Sequence, residues 1–353
     1  DFAGDVSGTL SDGQTASQAV APGQYSSSET VPAGWALTGI SCDDGNSSGD
    51  TATATATFKV EPGETVKCTF TNTKDGAIVI EKQTLPDGDP ATFDFAGDVS
   101  GTLSDGQTAS QAVAPGQYSS SETVPDGWDL TGIECDDGNS SGDTATATAT
   151  FNVEPGEVVK CTFTNTKRGN IQVAKETLPD GSTATFDFAG DVTATLSDGQ
   201  ASGLVEVVPG QYSSSETVPA GWDLTGISCD DGNSSGDTGT ATATFNVEPG
   251  ETVKCTFTNT QRGMVELLKL TQGVESQTMV WNFTLAGPGV DETDSSPPTI
   301  VDFGGVKLIP GEEYTLCEVG IPAGWTLEWQ VDTNGDGIPD TIIPMVAGVN
   351  NDP

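Results

Sequence analysis

Short runs in which apolar and polar residues alternate dominate this chain. Ile78–Ile80, Thr92–Phe95, Thr51–Phe58 and Cys68–Asn72 each follow a period of two, which places successive side chains on opposite faces of a strand. PDG, SDG, APG, EPG and DDG triplets separate the runs, and such glycine, proline and aspartate clusters mark turns. No stretch carries a helical period of useful length. Regular short strands between turn signals predict an all-β chain of antiparallel β-sandwiches, prealbumin-like or immunoglobulin-like in plan.

The pattern itself recurs. DFAGDV begins at Asp1, Asp94 and Asp187, a period of about 93 residues, and residues 1–74 differ from 94–167 at only five positions. That period is too long for a solenoid unit and has the size of a small complete domain. The predicted organisation is repeat 1 at 1–74, repeat 2 at 75–167, repeat 3 at 168–261 and a divergent repeat 4 at 262–353. The joints Thr73–Gly76, Thr166–Gly169 and Thr260–Gly263 are very short and lack a Gly/Ser-rich stretch, which predicts domains meeting end to end as a stiff rod. Repeats 2, 3 and 4 open with GAIVIEK, GNIQVAK and GMVELLK, whereas repeat 1 starts after that strand and repeat 4 stops before a CTFTNT-like closing strand. Residues beyond this stretch are expected to complete the end domains; the alternative is strand donation by neighbouring molecules.

Three polar positions recur on the inward face. Lys82 follows Ile78 and Ile80 at alternate positions, as Lys175 follows Ile171 and Val173, and Lys269 follows Val265 and Leu267. Asn165 follows Cys161 and Phe163 on one face, and Asn72 and Asn259 repeat it. Glu29, Glu122 and Glu216 each lie four residues after a tyrosine. Burying a lysine, an asparagine and a glutamate is costly unless they meet.

The opening GxIxVxK, the central YxxxETVPxGW and the closing CTFTNT together resemble the prealbumin-like (Cna-B/SpaA-type) domains of bacterial surface proteins and pilin backbones. The resemblance covers repeats 2 and 3 completely and repeats 1 and 4 in part. Many members of that family form a Lys–Asn isopeptide bond promoted by a buried acid. The resemblance implies such bonds from Lys82 to Asn165 with Glu122, and from Lys175 to Asn259 with Glu216. Repeat 1 shows only Glu29 and Asn72 of the set, and repeat 4 only Lys269 and Glu318. The alternative is a buried ion pair or a lysine that snorkels to solvent, with cysteines as the covalent staple.

Six of the seven cysteines fall into pairs 26 residues apart: Cys42 with Cys68, Cys135 with Cys161, and Cys229 with Cys255. With no CxxC spacing and no histidine, zinc is not expected, and one disulfide per repeat in an oxidising compartment fits better. A loop of this size stabilises a repeat by roughly 3 kcal/mol in the chain-entropy picture. Cys317 has no mate in the sequence, and one is expected beyond Pro353.

Charge then narrows the partners. The chain carries 52 acidic and 12 basic residues, net −40. Residues 75–167 alone hold 16 acidic and 3 basic residues, so the excess is spread through the repeats. Such a surface excludes nucleic acid and anionic lipid, which need a basic footprint, and attracts cations. No run of 18 apolar residues predicts a membrane span.

Calcium is the expected cofactor. In Asp332–Asp340, the oxygen side chains of Asp332, Asn334 and Asp336 followed by glycine form the first half of a calcium loop. Ile343 stands where an EF-hand needs glutamate, so the segment looks more like the Asp-rich loops of thrombospondin type 3 repeats, with Asp340 as the late carboxylate. Asp332 lies seven residues after Trp325, as Cys42 lies seven after Trp35. The DDGNSSGD loops therefore occupy the equivalent place, with Asp43, Asp44, Asn46 and Asp50 in repeat 1. Asp136, Asp137, Asn139 and Asp143 repeat the set in repeat 2, and Asp230, Asp231, Asn233 and Asp237 in repeat 3. The same residue types also make ordinary turns. Gly45–Gly49 matches GxSxG, but without histidine no Ser–His relay forms. No enzyme is expected.

The expected function is an extracellular structural protein, secreted or on a cell surface. It would build a calcium-stabilised fibre or stalk (biofilm matrix, pilus-like or adhesive filament) by head-to-tail or lateral assembly with copies of itself. The alternative is the stalk of an adhesin whose ligand-binding domain lies outside this stretch.

Overall fold

The computed structural model describes residues 1–263, 267–268, 280–296, 300–301, 303, 307–309, 312–320, 329–331 and 341–343. Every regular element among them is a strand or an isolated bridge, apart from one 3₁₀ residue at Phe303. Repeat 1 holds β1 (Phe2–Gly4), β2 (Gly23–Glu29), β3 (Trp35–Cys42), β4 (Ser48–Asp50), β5 (Thr55–Val60) and β6 (Cys68–Lys74). Repeat 2 holds β7 (Gly76–Leu85), β8 (Phe93–Gly97), β9 (Gly101–Leu103), β10 (Thr108–Val113), β11 (Gly116–Thr123), β12 (Trp128–Cys135), β13 (Ser141–Asp143), β14 (Thr148–Val153) and β15 (Val158–Lys167). In repeat 3 the same plan gives β16 (Gly169–Leu178), β17 (Phe186–Gly190), β18 (Ala194–Leu196), β19 (Val205–Val207), β20 (Gly210–Thr217), β21 (Trp222–Cys229), β22 (Ser235–Asp237), β23 (Thr242–Val247) and β24 (Thr252–Gln261). The described part of repeat 4 includes β26 (Trp281–Gly287), β27 (Val290–Ser296) and β29 (Thr315–Val319), besides the short pairs β25 (Leu267–Leu268) with β28 (Ile300–Val301) and β30 (Trp329–Val331) with β31 (Thr341–Ile343).

Repeat 2 is a two-layer sandwich. One sheet runs β10-β7-β15-β12 and the other β13-β14-β11-β8-β9. Alternation explains the layers: β7 buries Ile78 and Ile80, β15 buries Val159, Cys161 and Phe163, and Phe93, Phe95 and Phe151 close the core from the facing sheet. Edge-to-face contacts of Phe93 with Trp128 and of Phe95 with Phe163 lock the two layers. Repeat 3 has the same two sheet orders, and Phe186–Trp222 and Phe188–Phe257 contacts recur.

The cysteine pairs form the disulfides that the sequence led us to expect. Cys42 is bonded to Cys68, Cys135 to Cys161, and Cys229 to Cys255. In each repeat the two cysteines are register partners on adjacent antiparallel strands, so the ladder itself brings the sulfurs together. Cys161 and Cys255 are fully buried on the inward faces of β15 and β24. Cys317 on β29 is a free, exposed thiol.

Two details depart from the expected pattern. The ladder is not wholly antiparallel: β7 and β15, the first and last strands of repeat 2, pair in parallel from Ala77/Val158 to Leu85/Thr166. The Thr–Ala run is strand only in its second half. Thr51–Ala54 form a turn, because Asp50 accepts the Ala52 N–H at 2.9 Å and the Thr53 hydroxyl at 3.0 Å, and Ala54 takes φ 50°.

By packing, the chain divides into two compact units. One holds Asp1–Asn170 with Glu206–Gly210 and Val247–Thr252; the other takes the described residues of Ile171–Val205, Gln211–Asn246 and Val253–Pro353. The cut does not follow the repeat boundary, because Glu206–Gly210 and Val247–Thr252 pack on the end of repeat 2. Within the first unit Gly250 N–H donates to Lys167 O at 3.1 Å, and Arg168 bridges Asp129 at 2.7 Å and Glu206 at 3.2 Å.

Tight strand approach yields a first prediction. A methyl group at Gly142 would overlap the Ile133 side chain and meet its carbonyl oxygen at 2.7 Å. Gly142→Ala is expected to destabilise repeat 2 by about 1–3 kcal/mol, read by urea unfolding; an unchanged midpoint would contradict this packing.

Candidate buried cross-linking site

Alternation along three strands carries the polar residues into the core. Lys82 follows Ile80 on the buried face of β7, Asn165 follows Phe163 on β15, and Glu122 projects from β11 of the facing sheet. Lys82 and Asn165 are fully buried, and the side chains of Lys82 and Glu122 have no exposed surface. The parallel register sets Lys82 beside Phe163 and Thr84 beside Asn165. From there Lys82 Nζ donates to Asn165 Oδ1 at 2.8 Å, to Phe163 O at 3.1 Å and to Gln83 O at 2.7 Å. Glu122 Oε1 lies 3.8 Å from Nζ. Neither Glu122 oxygen nor Asn165 Nδ2 has a hydrogen-bond partner.

Repeat 3 rebuilds the same site. Lys175 Nζ donates to Asn259 Oδ1 at 2.8 Å, Phe257 O at 3.0 Å and Glu176 O at 2.7 Å, with Glu216 Oε2 at 4.0 Å. Here Asn259 Nδ2 also donates to Glu216 Oε1 at 2.6 Å. In repeat 1 Asn72 Nδ2 donates to Glu29 Oε1 at 2.5 Å, while Asn72 Oδ1 and Glu29 Oε2 have no partner. In repeat 4 Glu318 lies on β29, and Lys269 falls outside the described residues.

Burial drives each pair toward its uncharged forms. Desolvation draws Lys82 down to about 8 against the opposing charges of Glu122 and Asp105, and pushes the Glu122 carboxyl up to about 7. Lys175 likewise falls to about 8, and burial raises Glu216. The three acceptors around each Nζ match the three donors of an ammonium; at pH 7 roughly a tenth of such a lysine is the neutral, nucleophilic amine. Phe93 lies over Lys82 Nζ at 4.1 Å, and Phe186 over Lys175 Nζ at 4.2 Å. These rings wall the amine off from water. Sequence reasoning placed Phe93 only as a strand residue, although it immediately precedes the repeated DFAGDV signature.

The model of the prealbumin-like fold domain matches residues 3–74, 78–167 and 171–261. The chain belongs to this family. Solved structures similar to it include the Bacillus anthracis TIE protein (16% identity over 84% of this chain and 52% of that one, TM-score 0.28). The pilus adhesin SpaC from Lactobacillus rhamnosus GG is 16% identical over 71% of this chain and 36% of its own, with TM-score 0.25. A streptococcal ancillary pilin is 15% identical over 78% of this chain and 97% of its own, with TM-score 0.24. The chain spans about half the length of the TIE protein. A comparison with curated proteins found no match.

The acidic loops of the three prealbumin-like repeats are closed by their own hydrogen bonds. Asp43 accepts the Lys67 N–H at 2.7 Å, Asp44 accepts the Ser47 hydroxyl at 2.7 Å, and Asp50 caps the following turn. Asn46 Nδ2 reaches Glu61 at 3.4 Å. Asp136, Asp137 and Asp143 bind Lys160 N, the Ser140 hydroxyl and Ala145 N; Asp230, Asp231 and Asp237 bind Lys254 N, the Ser234 hydroxyl and Gly239 N. The carbonyls of Asn139 and Asn233 accept the side-chain amides of Asn152 and Asn246. Among the described residues no three acidic or cysteine side chains converge as a metal site. The carboxylates have separate partners: Asp43, Asp136 and Asp230 reach a backbone N–H on the adjacent strand, while the later aspartates close their own turns. Asp332, Asn334, Asp336 and Asp340 lie outside the described residues.

The raised carboxyl gives a pH test. Folded Glu122 keeps its proton up to about 7, against an ordinary value of 4.5, and an Asn165→Ala background, which blocks the bond, removes a group that lowers it and so preserves the direction. Its contribution is fully present below the unfolded value and is lost as pH rises through the folded one. Relative to the same background with Glu122→Gln, stability should fall by roughly 1–3 kcal/mol across that window. Urea unfolding at constant ionic strength reads it, and a flat difference would rule out a buried neutral acid.

Proposed function

We propose that this chain is an extracellular structural protein whose prealbumin-like repeats are locked by internal isopeptide bonds, Lys82–Asn165 in repeat 2 and Lys175–Asn259 in repeat 3. The observation that carries this is the buried lysine–acid–amide set, found twice, joining the first strand of a repeat to its last. Neutral lysine Nζ attacks the asparagine Cγ. The carboxyl of Glu122 or Glu216 polarises the amide, takes a proton from Nζ and returns one to the departing nitrogen. The Nζ–Cγ bond forms, the Cγ–Nδ2 bond breaks and ammonia leaves, with the acid regenerated.

Such a bond changes how the repeat carries load. The chain enters repeat 2 at β7 and leaves at β15, so tension reaches Lys82 and Asn165 from either side. The 83-residue separation between them represents about 290 Å of extended chain at about 3.5 Å per residue, and the bond would remove it from the force path. The Cys135–Cys161 disulfide lies within that shielded segment, as the Cys229–Cys255 disulfide does between Lys175 and Asn259. Disulfides in three successive repeats support an oxidising, extracellular setting. Among the described residues no helix is long and apolar enough to cross a membrane. Tandem repetition and the very short joints between repeats support a fibre or surface stalk assembled from copies of the chain.

Intact-mass analysis tests the bonds: the chain with its disulfides formed should be lighter by one ammonia for each of repeats 2 and 3. Lys82→Arg should restore one ammonia and lower the melting temperature of repeat 2. A full theoretical mass would sink the proposal. Electron microscopy of the native material tests the fibre, and isolated monomers alone would refute it.

Calcium belongs to the same proposal chiefly through the Asp332–Asp340 segment of repeat 4. Chelation is expected to lower the melting of repeat 4 and leave repeats 1–3 unchanged, since the loops of those repeats are already closed by hydrogen bonds. Calorimetry with and without chelator reads this, and an unchanged trace would remove calcium from the picture.

A further inference from the structure

One further carboxylate grips the lysine strand in both complete repeats. Asp105 Oδ1 accepts the Thr84 backbone N–H at 2.6 Å, and its Oδ2 accepts that of Gly88 at 2.9 Å. The turn carrying Asp105 also holds the lysine residue itself. Lys82 N–H donates to Gln107 O at 2.9 Å, and Gly106 N–H donates to Lys82 O at 2.8 Å. Gln107 Oε1 closes the turn by accepting the Ser104 N–H at 2.9 Å. In repeat 3, Asp198 takes Thr177 N–H at 2.5 Å and Gly181 N–H at 2.7 Å. Lys175 N–H donates to Gln200 O at 2.8 Å, and Gly199 N–H to Lys175 O at 2.9 Å.

This clasp has a geometric and an electrostatic consequence. The backbone on both sides of the lysine is fixed, so four flexible methylenes start from a set point and Nζ meets the amide in one place. The charges facing Lys82 are Glu122 from the opposite sheet and Asp105 from the turn; those facing Lys175 are Glu216, Asp198 and the adjacent Glu176. Burial alone would raise the Asp105 carboxyl, but the Gly88 and Thr84 N–H groups outweigh it and hold it below the usual carboxylate range. Asp105 is therefore anionic where Glu122 is protonated.

We infer that Asp105 and Asp198 are positioning residues for the cross-link, clasping the strand that presents the lysine and holding its ammonium until the repeat has closed. This rests on the Lys–Asn bond proposed above. The two aspartates touch neither reacting atom. They act through the Thr84 and Thr177 backbone and through charge.

The test uses the full chain with repeat 3 as an internal clock. Wild type, Asp105→Asn and Asp105→Glu are made by cell-free synthesis and released into buffers spanning the lysine titration. Each bond is followed by peptide mass spectrometry over time. Asp105→Asn loses one acceptor and the charge, so the Lys82–Asn165 bond should form roughly tenfold more slowly at its maximum. Its half-maximal pH should also move lower, because the neutral amine is no longer opposed by that charge. Asp105→Glu keeps the charge but displaces it, so it should slow the bond without that pH shift. The Lys175–Asn259 bond in the same molecules should keep its wild-type rate. Wild-type kinetics in both variants would overturn the inference. So would a slowed Asp105→Asn reaction with an unmoved midpoint, which assigns Asp105 to the fold alone. Absence of both bonds in the wild type would overturn the cross-link proposal itself and this inference with it, an outcome distinct from failure at Asp105.

Discussion

The side-by-side parallel pairing of β7 with β15 is the constraint on which the rest of repeat 2 depends. It hydrogen-bonds the first strand of the repeat to the last and puts the inward faces of both strands in one row. A lysine on one strand and an asparagine on the other then meet in a space that water does not reach. A salt bridge in that position would be a poor stabiliser, because two charges lose more hydration than their attraction returns. The pair instead shifts toward neutrality, and neutrality makes an amine reactive. Burial, usually a liability for a lysine, here favours the uncharged amine.

Much of this was legible in the sequence because strand periodicity is unforgiving. Lys82, two residues after Ile80, starts on the inward face with Ile78 and Ile80, and a one-residue slip would turn all three outward. The same reasoning placed Asn165 behind Phe163. The parallel pairing was not legible, since it joins strands separated by most of a domain and leaves no local mark. The Thr51–Phe58 run misled for a different reason. Its alternation is real, yet Asp50 offers local hydrogen bonds that outcompete a longer ladder for its first four residues.

Aspartate is the residue that sequence reading handled least well. Asp44 and Asp105 both sit beside glycine in what look like ordinary turns. One closes its loop on Ser47, while the other reaches across to the lysine strand. A carboxylate has acceptor capacity in every direction, so its neighbours along the chain say little about its partner in space. Only the fold separates a turn former from a clasp, and the same ambiguity attended the acidic loops read as metal ligands.

The scarcity of basic residues has a consequence for proteolysis. Proteases of trypsin-like specificity cut after lysine or arginine, and this chain has 12 such residues among 353. Lys82 and Lys175 are sealed in the core, while the side chains of Lys160, Lys167, Arg168 and Arg262 are engaged by carboxylates. A digestive enzyme of that class meets few accessible bonds here. A composition this poor in lysine and arginine leaves such a protease few places to cut.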